Sequence, residues 1–289
     1  MAAPDEIAAE PLARVAESGR GASRAAGAAR ADVGAASPAA GAPAQPTRLL
    51  TASLARDPVL DVALGSALLE TAGLSAVPLF RIGRPAPTFS FGRLDRILPG
   101  FPAAVATARE HGFAPTLRVG GGRAAAIHDG AISFGIAQPA DPLSTTGERF
   151  EWLAALVLGA LARVGVVAQR GQLPDEYCPG DWSLHAGGIK LSGLSQRVKR
   201  DATWTEGLLL VTGGARARAV LEAVHAQLAL PLDPATVGAV EDLTPGVTVD
   251  DVARALRDEL SARGPVSEIP LDAPTLAIAA RLRGRHEVG

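Results

Sequence analysis

Hydrophobic positions along the chain follow two different rhythms. In "DPVLDVALGSALLETAG", Leu60, Leu64 and Leu68 recur every four residues behind Asp57 and Pro58. That spacing predicts a helix capped by the aspartate and opened by the proline. "GERFEWLAALVLGALARVG" keeps helical spacing through Phe150, Leu153, Val157, Leu161 and Val164, and Gly165 suits its end. Further helices are predicted over residues 216–228 and 249–263. The second has Thr248 and Asp251 as a capping box and Gly264-Pro265 beyond its end.

Other stretches alternate with period two. In "AAAIHDGAISFGIAQP" the pair Asp129-Gly130 lies between two apolar runs, a hairpin signal. "SLHAGGIKLSG" predicts a second hairpin turning at Gly187-Gly188, with Lys190 and Ser192 on one face and Ile189 and Leu191 on the other. "TWTEGLLLV" reads as another strand. Hairpins mixed with helices predict an α+β fold: a mixed, mostly antiparallel sheet with flanking helices.

Composition sets the boundaries. Of the first 46 residues 18 are alanine, interleaved with Gly, Pro and Arg, so residues 1–46 offer little to bury and are expected to be a disordered extension. The folded domain is expected over 47–265 and a C-terminal tail over 266–289. Apolar content of 47% and charged content of 20% are those of a globular protein. A net charge of −2 argues against a nucleic-acid binder. One cysteine excludes an internal disulfide framework and a cysteine-cluster metal site, and a cytoplasmic location is the expectation. The first 20 residues lack a secretory pattern, and no window reaches the roughly 18 apolar residues of a membrane span.

The candidate chemistry is concentrated in two places. "RVGGGRAAAIHD" has neither the Gly-Lys-Ser/Thr ending of a phosphate-gripping loop nor the spaced glycines opening a helix of a dinucleotide fingerprint. Three glycines between strands let the backbone bend sharply and approach a ligand, or simply form a bulge. "EYCPGDWSLHAGGIKLSG" holds the only cysteine, Cys178, and Lys190, one of only two lysines. Pro179-Gly180 fits the centre of a type II turn, which puts the thiol on a loop. Cys178 is then either a small hydrophobic filler or a nucleophile. Lys190 is either a solvated strand lysine or an ammonium that favours the thiolate and holds an oxyanion. Lys199, in "RVKRD", reads as solvated. His128 is a candidate for the edge of the same pocket and His185 lies near the cysteine; His111 and His286 read as surface residues.

Two segments carry a family resemblance. "LRVGGGRAAAIHDGAISFGIAQP" resembles the arginine-glycine-glycine-glycine-histidine segment of the biotin/lipoate protein ligase superfamily, and "GGIKLSGLSQRVKRDATWTEGLLLV" is similar to its lysine strand. "PTFSFGRLDR" resembles an upstream family strand, so the likeness covers residues 47–263. Within the superfamily, "EYCPGDWSL" resembles the cysteine loop of the octanoyl and lipoyl transferases, in particular the amidotransferase branch.

The resemblance implies that Cys178 accepts an octanoyl or lipoyl group as a thioester and yields it to a lysine of an acceptor lipoyl domain. Lys190 would orient the acyl carbonyl, and Arg118, Gly120, Gly121 and Gly122 would shape the acyl pocket with His128 at its edge. Ile127, Ile132 and Phe134 would alternate between that channel and the core. The donor would be an acyl carrier protein or the glycine-cleavage H protein, and the acceptors the E2 subunits of 2-oxoacid dehydrogenases. No cofactor would be needed. An ATP- and magnesium-dependent lipoate ligase is the first alternative, and a non-catalytic acyl or lipoyl-domain binding protein the second. The chain departs from the family pattern at Leu191, Leu194 and Ser195, where alanine or asparagine is frequent, and at Glu206, where some branches have histidine.

Overall fold

The computed structural model describes residues 46–288; the expected extension over 1–46 lies, but for Pro46, outside the described residues. In chain order the elements are β1 (Thr47–Leu50), α1 (Pro58–Ala72), β2 (Leu79–Gly83), β3 (Thr88–Phe91), α2 (Phe101–Glu110), β4 (Ala114–Leu117), β5 (Ala125–Ile127) and β6 (Ala131–Pro139). Then follow α3 (Thr146–Arg163), β7 (Gln169–Arg170), β8 (Ser183–Ala186), β9 (Ile189–Val198) and β10 (Ala202–Leu210). The described chain closes with α4 (Gly214–Leu228), α5 (Val249–Ala262), β11 (Val266–Glu268) and α6 (Ala273–Leu282).

Eight strands form one sheet in the order β11-β1-β2-β6-β10-β9-β8-β7, and three form another in the order β4-β3-β5. Both are mixed: β11, β1 and β2 run parallel, β2 through β7 pair antiparallel, and β3 pairs parallel with β4 but antiparallel with β5. The α+β expectation is met.

The helices form for the reasons their sequences state. Asp57 accepts the Leu60 amide ahead of α1, and Thr248 and Asp251 close their capping box on α5. On α3, Leu153, Val157 and Leu161 are fully buried against the large sheet. Ile132, Phe134 and Ile136 share the face of β6 that enters that same core; of the residues expected to divide between channel and core, Ile127 and Phe134 also line a cavity between the sheets, whereas Ile132 lies in the core alone. Gly187 and Gly188 both take positive φ between β8 and β9, as a tight hairpin requires.

Three expectations are corrected. Asp129-Gly130 does turn the chain, but β5 pairs with β3 in the small sheet while β6 enters the large one. Both edges of β6 are taken, by β2 and β10, so the turn joins two sheets rather than two hairpin arms. Residues 266–288, expected as part of a tail, are not one. β11 extends the large sheet beside β1, and α6 packs on α1, burying Ala279 and Leu282. His286 is buried, not on the surface, and binds β4 by both its carbonyl and its ring.

Candidate active site

A buried ion pair supports the cysteine loop. Lys190, on β9, places Nζ 3.0 Å from Glu176 Oε1 and donates to the Tyr177 and Cys178 carbonyls at 2.8 Å each. Ser183 donates to the same carboxylate. An ammonium has three hydrogens, and all three are engaged within the protein. Lys190 thus ties the Glu176 carboxylate to the backbone carbonyls of Tyr177 and Cys178, and in this geometry it offers no free hydrogen to an acyl oxygen. Burial pulls its pKa below the ordinary lysine value, against the opposing effect of Cys178 and Glu176.

The loop so held has unusual backbone geometry. Asp175 and Cys178 have φ of 50° and 44°, the left-handed region that side chains avoid at a cost of about 1–3 kcal/mol each. Gly180 does not have positive φ, so the predicted type II turn does not form; the cysteine itself takes the strained conformation. In this conformation Sγ faces the glycine loop, within 3.2 Å of the Arg123 amide.

Two donors meet the sulfur. Arg118 Nη1 and the Arg123 amide each lie 3.2 Å from Cys178 Sγ. Burial alone would raise the thiol pKa, but the Arg118 guanidinium first, then the Lys190 ammonium and these hydrogen bonds, bring it below the ordinary cysteine value. Arg118 stays charged: burial would lower its pKa, and the charges of Cys178 and Glu206 outweigh that.

The glycines make this approach possible. A Cβ on Gly122, whose φ is +106°, would lie 2.7 Å from Arg118 Nη1 and 2.8 Å from Cys178 Sγ. A Cβ on Gly120 would lie 2.3 Å from Ser195 Oγ. These are distances that real Cβ atoms do not tolerate, so the loop is the wall against which thiol and guanidinium are seated.

Two cavities meet here, sharing Arg118, Ala125 and Leu208. The inner one runs between the two sheets and is lined by Ile127, Ser90, Trp204 and Glu206 among others. The outer one is a trough along β9, walled by Leu194, Val198 and the stacked rings of Phe150 and Trp182, and it holds Cys178, Gly121 and Gly122. A chain lying in both would pass Arg118 and the thiol.

The sequence candidates therefore divide. Arg118, Gly120, Gly122, Cys178 and Lys190 come together, and Gly121 lines the trough with its α-carbon open to space. His128 lines neither cavity. It is buried in the turn after β5, where Nδ1 accepts from the Gly130 amide at 3.0 Å and the ring abuts Phe113. Burial and the Arg216 charge hold its pKa below the usual histidine value.

Glu176, Arg123 and Asp95 join the candidate site without a signal having pointed to them in the sequence, and Ser195 and Glu206, noted there only as departures from the family pattern, stand in it beside Arg118. Asp95 is fully buried and binds Arg123 Nη1 at 3.2 Å. Glu176, two residues before the cysteine, could have been suspected from that proximity alone. Among the described residues no cluster of three or more His, Cys, Asp or Glu is placed to hold a metal ion, and no helix is long and apolar enough to cross a membrane.

The architecture is that of the lipoate ligases. A lipoate-protein ligase A bound with ATP superposes with a TM-score of 0.70 at 20% identity, covering 83% of this chain and 95% of that one. The bipartite lipoate protein ligase of Thermoplasma acidophilum gives 0.67 at 18% identity, covering 83% and 93%. Residues 57–261 match the lipoyl protein ligase A/B catalytic domain, and the chain belongs to that family.

Its sequence relatives include an octanoyl-GcvH:protein N-octanoyltransferase of Geobacillus kaustophilus, 31% identical over 46% of this chain and 48% of that protein. A lipoyl-GcvH:protein N-lipoyltransferase of Listeria monocytogenes is 26% identical over 46% and 49%. In these matches the chain spans about half the length of each relative.

Proposed function

We propose that the protein moves an octanoyl or lipoyl group from a donor protein to an acceptor lysine through a thioester on Cys178. The observation that carries this reading is the sulfur itself: it lines the outer cavity beside Arg118, which both cavities share, and is hydrogen-bonded by Arg118 and the Arg123 amide at 3.2 Å each. The names of the relatives, which act on GcvH as octanoyl or lipoyl transferases, support the same chemistry.

The inner cavity takes the acyl chain and the outer trough takes the lysine arm that delivers or receives it. In the first half-reaction the Sγ lone pair attacks the acyl carbon. A C–S bond forms and the bond to the donor's lysine nitrogen breaks; the nitrogen takes up one proton, that of the thiol or, where Cys178 is already a thiolate, one from solvent, and leaves as an amine. If the donor is an acyl carrier protein, the bond broken is its own thioester and a thiol leaves. In the second, the acceptor amine attacks the thioester carbon, the C–N bond forms, and the thiolate departs with one proton lost from nitrogen. A thioester remains reactive toward amines, so one difficult exchange becomes two easier ones. As Sγ bonds to carbon, Arg118 and the Arg123 amide no longer face a thiolate and stand beside the developing oxyanion. Lys190 contributes by fixing the loop.

The donor we favour is the glycine-cleavage H protein, named in the relatives, with E2 lipoyl domains as further acceptors. The test is the intact mass of the protein mixed with octanoylated H protein in the absence of ATP, beside Cys178→Ser. An octanoyl adduct on the wild type alone supports the proposal. Acylation of acceptor only from free acid with ATP and magnesium, unaffected by Cys178→Ser, would make it a ligase. Acceptor binding without an adduct or transfer would make it a binding protein.

A further inference from the structure

Between the two cavities lies a line of polar groups to which the acyl-transfer chemistry gives no part. In the large sheet Glu206 on β10 stands opposite Ser195 on β9, so their side chains share the face that looks toward the small sheet. Glu206 Oε1 accepts from the Gly120 amide at 3.0 Å and from Ser195 Oγ at 3.1 Å, and Oε2 accepts from Trp204 Nε1 at 2.6 Å. Ser195 Oγ in turn accepts from Arg118 Nη2 at 3.4 Å, while Nη1 of the same guanidinium rests on Cys178 Sγ.

The direction of these bonds is chemically fixed. An ionised carboxylate only accepts, so it must take the single hydroxyl hydrogen of Ser195, which leaves the serine lone pairs for Arg118. The guanidinium has few other restraints: Arg118 Nη1 also donates to the Arg123 carbonyl at 3.0 Å, and its Nε is buried with no partner. Neither Glu206 nor Ser195 is bonded to the sulfur. Glu206 lines the inner cavity and Ser195 the outer one, so the pair straddles the neck that the acyl group must occupy.

We propose that Glu206 and Ser195 are a positioning pair that aims Arg118 at the Cys178 sulfur, Glu206 by orienting the serine hydroxyl and Ser195 by holding Nη2. The inference rests on Cys178 being the acyl acceptor, and its test reads the thiol directly. The other charged or titratable groups around this line are Lys190, Glu176 and Tyr177 beyond the sulfur, Asp95 behind Arg123, Arg81 along the same sheet face, and His286 beside β4.

Because the chain has one cysteine, the pH profile of iodoacetamide alkylation of the whole protein reports Cys178 alone. Ser195→Ala changes no charge, and Glu206→Ala removes a negative charge near the thiol. By charge alone Glu206→Ala would shift the alkylation midpoint to lower pH; by releasing Arg118 it shifts it higher. We expect both variants to move the midpoint up and to slow alkylation at pH 7 by about three- to tenfold, with the double variant no slower than the slower single one. An unchanged midpoint in Ser195→Ala, or a lowered one in Glu206→Ala, overturns the proposal. If Glu206→Ala does not melt cooperatively, Ser195→Ala decides alone. Failure of the octanoyl adduct to form would leave this result standing, so the two ideas fail separately.

Discussion

Lys190 Nζ lies 3.0 Å from Glu176 Oε1, and both side chains are withdrawn from solvent. The pair links the start of β9 to the loop that carries Cys178, and the ammonium closes the arrangement by binding the Tyr177 and Cys178 carbonyls. Removing one partner leaves the other charged and buried. Glu176→Ala is therefore expected to cost about 3–5 kcal/mol of stability. It also frees the loop, so activity should fall even in protein that stays folded. Urea unfolding read beside the rate of acyl transfer checks both effects. A cost below about 1 kcal/mol would mean that the pair is not buried as described.

Arg118 is the nearest charge to the sulfur. Replacing it with methionine removes the largest of the influences that hold the thiol below the ordinary cysteine value, while burial, which acts upward, remains. The alkylation midpoint of Cys178 should then rise, and alkylation at pH 7 should slow by about tenfold or more. Lysine at 118 should restore part of the charge effect but not the fork that spans Sγ, the Arg123 carbonyl and Ser195. Arg118→Lys is thus expected between wild type and Arg118→Met, and equal alkylation of all three would remove Arg118 from the account.

Local rules were legible in the sequence wherever the information is local. The α5 capping box spans four residues, from Thr248 to Asp251, and the Gly187-Gly188 hairpin is closed by its two glycines. The site depends on distant pairings. Arg118 and Cys178 are 60 residues apart, and Lys190 meets a carboxylate 14 residues upstream. Nothing in a strand lysine distinguishes a solvated head from one fully engaged in the interior, so the family likeness identified Lys190 but not its partners. β11 is short and reads "VSE", with no rhythm of its own; only its parallel pairing with β1 makes it a strand. The hairpin signal at Asp129-Gly130 recognised a turn, but pairing partners are decided by which strand edges are vacant.

Buried histidines predict how the fold responds to acid. His128, His225 and His286 all have pKa values held below the ordinary one, with burial the largest cause in each. In the unfolded chain they bind protons near pH 6.5, whereas in the fold they do so only at lower pH. As pH falls through that window the unfolded state gains protons first, so stability falls; above it the effect vanishes. Carboxylates with lowered pKa, such as Asp57 and Asp272, add their loss at lower pH, below about 4. Melting temperatures measured at pH 7.5, 6.5 and 5.5 should decrease in that order. A flat profile to pH 5.5 would mean that the histidines accept protons in place.

Two adjacent glycines provide a controlled comparison of the loop. Gly121 has no heavy atom within 4 Å of where a Cβ would stand, and its φ is not in the left-handed region. Gly121→Ala should change stability by no more than about 0.5 kcal/mol. At Gly122 the same methyl would need φ of +106° and would sit 2.8 Å from Cys178 Sγ and 2.7 Å from Arg118 Nη1. The backbone strain is worth about 1–3 kcal/mol, and the clash must separate the guanidinium from the sulfur or push the loop off both. A displacement of the order of 1 Å at a reacting atom can reduce a rate about a hundredfold, which is the loss expected for Gly122→Ala. Acyl transfer and alkylation should fall together in that variant, because both depend on the thiol held by Arg118. If Gly121→Ala were the more damaging of the two, the trough would be used by a substrate lying on the open glycine rather than by the geometry that Gly122 protects.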